Sequence, residues 1–245
     1  MFLVVFCANA GVMAMKDIRT ADGFDVQMQT NMLSHFLLIK ELFSSLDQAG
    51  QSRGEARVVM HSSTTRNFRN VNLEEKYFSK CDPGTLGGDG AWMITESLNL
   101  RDGPWSRYHQ TKLANACFAM ALHEKLKATG SKVKSLAADP GIASTNLQVH
   151  TFNVGNMSGF LARKFMSTGQ SPADGSTPAL VACFGPHAES GDFYIPEHSS
   201  KGRPIKTIQD GKPVKKGGEV LTCNPANLKL VWEACEKALD AKFEV

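Results

Sequence analysis

The sequence predicts an α/β fold, a doubly wound parallel sheet with helices on both faces. Three observations carry this. Short apolar runs at 2–6, 57–61 and 132–138 have the length and aliphatic content of buried parallel strands. Stretches with apolar residues every three or four positions separate them, as crossover helices require. Each run ends in residues suited to turns and ligands: Asn9 and Gly11, then Ser62 and Ser63, then Pro140 and Gly141. Open α/β sheets bind ligands at that edge.

Taken in order, the run at 2–7 reads as a buried strand that breaks at Asn9-Ala10-Gly11. Gly23 to Asp25 opens a helix reaching about Asp47, with Phe24, Met28, Asn31, His35, Leu38, Leu42 and Leu46 as one stripe. Asn31 in that stripe needs partners, as a backbone clip or as a site residue, and His35 reads as a hydrogen-bonded interior histidine. Residues 48–55, with Gly50 and Gly54, read as a polar loop before the strand at 57–61. Hydroxyls follow that strand from Ser62 to Thr65, as an ST-turn or as ligand groups.

Residues 67–104 are polar and rich in glycine, an insertion of variable character. An amphipathic helix runs from Tyr108 to about Ala128, with Gly130 as its terminator. The third strand ends at Asp139, and Thr145 lies in the loop beyond. The 146–170 segment is rich in Phe, Met and Leu and reads as a cover over a substrate or as two short core-facing helices. Ser171 caps a helix with Pro172 in its first turn. A short final strand falls at 191–195, 201–220 reads as a solvated basic edge, and a helix at 225–243 closes the chain.

The 245 residues suit one domain, and 42% hydrophobic with 21% charged residues is ordinary for a soluble globular protein. A net charge of +3 is too mild to imply nucleic acid as a partner. Six scattered cysteines without a Cys-x-x-Cys pair read as reduced thiols in a cytoplasmic setting. No secretory signal or membrane-spanning segment is apparent, and no residue grouping asks for a metal.

Tyr108 and Lys112 are the chemical centre of the sequence. Four residues apart on a helix, they rise from one face. A cation beside a phenol favours the phenolate, and a tyrosine so placed can move protons near neutral pH.

Together, Asn9-Ala10-Gly11, the helical Asn31, Ser62-Ser63, Tyr108 with Lys112, and Pro140-Gly141 with Thr145 resemble the short-chain dehydrogenase/reductase family, in its order. The wording of 22–27, Asn31 with 35–38, and 112–115 resembles the branch of retinol dehydrogenases, WW-domain-containing oxidoreductase and light-dependent protochlorophyllide reductases. The resemblance implies a Rossmann-like fold and a reaction between an alcohol and a carbonyl, on a small lipophilic alcohol, aldehyde or ketone. It implies Tyr108 as the general acid or base and Lys112 as the holder of the nicotinamide ribose, lowering the tyrosine pKa. Ser63 would bond the substrate oxygen, and Asn31 would fix a relay water. Asn9, Ala10, Gly11, Lys112, Pro140, Gly141, Ile142 and Thr145 would meet the cofactor, NADP or NAD, with the branch leaning to NADP.

One departure matters. The family's Gly-x-x-x-Gly-x-Gly phosphate motif has no counterpart here, and the first strand corresponds to the family's fourth. The expectation is therefore an N-terminally truncated Rossmann sheet, completed in a homo-oligomer or by a partner chain. The alternative function is that of an inactive fragment or pseudoenzyme serving as a binding protein or scaffold.

Overall fold

The computed structural model describes residues 3–91, 93–143 and 169–245. Thr145, and the 146–170 segment except its last two residues, lie outside the described residues. The strands form one six-stranded sheet in chain order. These are β1 (Val5–Ala8), β2 (Ala56–His61), β3 (Val133–Ala138), β4 (Phe193–Pro196), β5 (Pro204–Gln209) and β6 (Lys212–Pro213). The first four are parallel, and β5 and β6 run antiparallel at the far side.

Alternation along β2 assigns the two faces. Val58 and Met60 enter the main core, while Val59 joins Leu136, Ala138, Ala182 and Cys183 in a second core on the opposite face. Helix α1 covers the first face as Val26–Met28, a π-helical turn Gln29–Leu33, and Ser34–Arg53. Beside it lie α3 (Pro104–Thr129) and, packed on α3, α5 (Pro225–Leu239). Trp232 of α5 stacks on Phe118 of α3 at 5.6 Å and 21°. The second face carries α4 (Pro172–Phe184), and a short α2 (Met93–Ser97) lies in the insertion. The doubly wound α/β architecture is therefore present.

Several expectations are corrected. The first strand is not fully buried: Val5 and Phe6 are half-buried and Cys7 is exposed, because β1 pairs only with β2 among the described residues. Helix α1 continues through the expected 48–55 loop to Arg53. Gly50 lets it press against the lead into β3, since a Cβ there would stand 3.1 Å from that of Lys132. The left-handed residue that ends the helix is Gly54, at φ 90°. Within α1 the expected stripe fails at Leu38, which is exposed while its neighbour Ile39 is buried; His35 and Leu46 are buried as expected.

Helix α3 begins at Pro104, four residues earlier than expected, and its first 20 residues are buried on all sides rather than amphipathic. β4 is not the final strand: 204–213 forms a hairpin that widens the sheet. α5 stops at Leu239, where Asp240 takes the left-handed conformation. The caps at Ser171 and Gly130 form as expected.

The insertion is anchored from α3. The buried guanidinium of Arg107 bonds the carbonyls of Met15 and Gly88 and pairs with Asp25 at 3.2 Å. Tyr77 and Phe78, in the turn Glu75–Phe78, are buried in the main core. No helix among the described residues is long and apolar enough to cross a membrane.

Candidate functional site

The C-terminal ends of β1, β2 and β3 open onto a cavity of about 530 Å³. Parallel strands deliver their following loops to one edge, so residues far apart in sequence meet there. Asn9, Ala10 and Gly11 arrive from β1, Ser63 from β2, and Pro140, Gly141 and Ile142 from β3. Helix α3 brings Tyr108 and Lys112 to the same space. Asn31 stands behind this lining, and Thr145 lies outside the described residues.

Asn31 is a clip in the first instance. Its Oδ1 accepts from the Val12 amide at 2.8 Å, and its Nδ2 donates to the Val12 carbonyl at 2.8 Å and to Thr111 Oγ1 at 3.0 Å. The side chain thus holds the loop after β1 to α3. Its own carbonyl meets His35 Nδ1 at 2.9 Å. A Cβ on Gly11 would stand 3.1 Å from Asn31 Oδ1 and 3.7 Å from Lys112 Nζ, so only glycine brings the backbone this close without displacing a neighbour.

The serine pair divides its work. Ser62 is fully buried and its hydroxyl donates to the Lys112 carbonyl at 2.7 Å, which locks α3 to the end of β2. Ser63 caps the 3₁₀ turn Thr64–Asn67, accepting from the Thr65 amide at 3.3 Å. Ser63 and Tyr108 line the same cavity, and the Ser63 hydroxyl opposes the rise of the phenol's pKa.

The lysine approaches the tyrosine, with Nζ 5.7 Å from the centre of the Tyr108 ring, and donates to the His61 carbonyl at 3.0 Å. Its effect on the phenol differs from the expectation. Burial pushes the Tyr108 pKa well up, the Ser63 hydroxyl opposes this, and the Asp139 charge adds to it. Burial also pulls Lys112 down from 10.5 to about 8, with Asp139 resisting. Desolvation dominates in this closed surrounding, the groups that act on the phenol are Ser63 and Asp139 rather than Lys112, and Tyr108 stands as a protonated acid.

Three features were not legible beforehand. Arg66, almost fully buried, pairs with both Asp139 and Glu219 and lies 4.4 Å from the centre of the Phe193 ring. Its partners are 73 and 153 residues away in sequence, so no local pattern marks the group. His61 reaches the cavity, its Nδ1 buried and without a hydrogen-bond partner. Burial first, then the charges of Lys112 and His35, lower its pKa to about 3 and keep the ring neutral. Trp105 lines the cavity one helical turn before Tyr108, where the sequence reading has only a lead into the helix.

The arrangement offers a proton at the Tyr108 hydroxyl, a second hydrogen-bonding group at Ser63, and a cation behind them. Gly11 gives close backbone access to this space and Lys112 supplies a basic group, while no glycine-rich phosphate motif is present in the sequence.

No family model matches the chain. Individual proteins do. Human polyprenol dehydrogenase is 30% identical over 79% of this chain and 52% of its own length. Short-chain dehydrogenase/reductase prx1 of Penicillium rubens is 26% identical over 97% of this chain and 63% of its own. A crystal structure of an uncharacterised protein from Mycobacterium paratuberculosis superposes with a TM-score of 0.63 at 25% identity, over 98% of this chain and 68% of that one. The chain spans about half the length of the polyprenol dehydrogenases it matches.

Proposed function

We propose that this chain, as a member of the short-chain dehydrogenase/reductase family to which its relatives point, interconverts an alcohol and a carbonyl at this site with NAD(P)(H). The observation that carries the reading is the meeting of Tyr108 and Ser63 on the cavity, with Lys112 behind them. Tyr108 gives its hydroxyl proton to the substrate oxygen in reduction and takes a proton from it in oxidation. Ser63 hydrogen-bonds the same oxygen and fixes its distance from the phenol. Asn9 to Gly11, Pro140 to Ile142 and Lys112 would hold the dinucleotide, with Lys112 at the ribose hydroxyls. When bound, the nicotinamide supplies or accepts the hydride at the substrate carbon. Thr145 completes this set as a proposal from the resemblance alone.

The substrate is a lipophilic alcohol, aldehyde or ketone. Support comes from the name of the polyprenol dehydrogenases and from the wording of residues 22–27 and 35–38, which favours the retinol dehydrogenase branch.

The test is calorimetric titration of the 245-residue chain with NADP(H) and NAD(H), beside consumption of reduced nicotinamide with a long-chain aldehyde. Binding with turnover is expected. Binding without turnover favours the scaffold alternative, and absence of both overturns the proposal for this chain.

A further inference from the structure

Beside Tyr108 the cavity changes character. Met13, Ala14, Trp105 and Tyr108 form an apolar cluster separate from both sheet cores, with Phe68 and Met93 packed against it. Trp105 meets Tyr108 edge-on, ring centres 6.2 Å apart at 82°, and Phe68 backs Trp105 at 6.3 Å. Met13, Met93 and Trp105 line the cavity together with Tyr108. The wall therefore combines one rigid aromatic face with two unbranched thioethers, a set that adapts to the shape of an apolar body. Polar lining groups lie elsewhere, at Asn9, Ser63 and Lys112. A carbon whose oxygen sits between Ser63 and Tyr108 thus has unlike surroundings on its two sides.

We propose that Met13, Met93 and Trp105 are the specificity-determining surface of the site. They take a hydrocarbon chain or ring attached to the reacting carbon and exclude substrates whose nearest substituent is charged. This rests on the alcohol–carbonyl reading and adds the residues that select the substrate. Burying apolar surface is worth about 25 cal/mol per Å², so a side chain covering roughly 60 Å² of ligand contributes about tenfold in affinity.

The test reads binding without dinucleotide or turnover. The 245-residue chain is titrated with decan-1-ol and with ethanol while tryptophan emission is followed. A saturable change with decan-1-ol, absent with ethanol and lost in Trp105→Phe, is expected. Met93→Ala should weaken decan-1-ol binding about tenfold, and because Met93 lies in the short α2, this variant reports even where Trp105→Phe does not fold. No response to decan-1-ol, or one unchanged in both variants, overturns the proposal. A chain that turns over decanal with KM unaltered in both variants also overturns it, while leaving the reaction itself standing. Decan-1-ol binding by a chain that transfers no hydride separates the two in the other direction.

Discussion

At the scale of single residues the site is built around groups held in the less hydrated form of their titration. Lys112 has its pKa lowered from 10.5 to about 8 by burial. Between those two values the unfolded lysine keeps a proton that the folded one has released. Stability of the free chain therefore rises with pH across that window, and the penalty of a buried ammonium is fully present below it. Lys112→Met should stabilise the chain at pH 7 by about 3 kcal/mol and flatten this rise, read by urea denaturation at pH 7 and pH 10. The same variant should lose turnover in the proposed reaction, where Lys112 is assigned to the ribose. His61 works in the acid range. Its folded pKa of about 3 lies below the ordinary 6.5, so the unfolded chain binds the extra proton and stability falls as pH drops through that interval. His61→Gln should weaken this acid sensitivity, seen as a smaller loss of Tm between pH 7 and pH 4. Tyr108, Lys112 and Ser63 were legible because their spacing and order survive in one dimension. The direction of the tyrosine shift was not, since it depends on how completely the phenol is desolvated.

At the scale of elements, the π turn at Gln29–Leu33 is the feature that sequence periodicity could not show. Hydrophobic stripes reveal a helix but not an extra residue inside it; the one stripe position that is exposed is Leu38, beside the buried Ile39. The turn carries Asn31, whose side chain ties the loop after β1 to α3. Asn31→Leu leaves the Val12 amide and carbonyl without these partners and should cost about 2–3 kcal/mol. It should also weaken dinucleotide binding, since Asn9 to Gly11 lose their anchor; thermal denaturation and calorimetry check the two effects. Gly141 is a second fixed point: at φ +66° its Cβ would stand 2.5 Å from the Ser200 carbonyl. Gly50 shows the opposite error, a glycine read as a breaker that serves helix packing. The parallel strands were readable because each is a short apolar run, whereas the β5–β6 hairpin was hidden in polar, half-exposed sequence.

At the scale of the molecule, three distant segments close the site from below. Arg66 follows β2, Asp139 follows β3, and Glu219 lies beyond the β5–β6 hairpin; the first pairs with both acids in near-complete burial. A buried ion group of this kind is costly to break, because the remaining charges keep their desolvation without compensation. Arg66→Ala should destabilise the chain by about 3–5 kcal/mol. It should also shift the Tyr108 and Lys112 titrations, since Asp139 acts on both. Denaturation curves and the pH profile of turnover read the two consequences. The general α/β architecture was visible in the alternation of strands and helices, but this long-range closure exists only once the sheet has assembled.

The most direct measurement is turnover of a long-chain aldehyde with reduced nicotinamide by wild type and Tyr108→Phe, alongside dinucleotide binding by both. Loss of roughly 10²–10⁴-fold in turnover with binding retained is the expected result. Turnover that survives in Tyr108→Phe would contradict the assignment of this tyrosine as the proton donor, and with it the central claim.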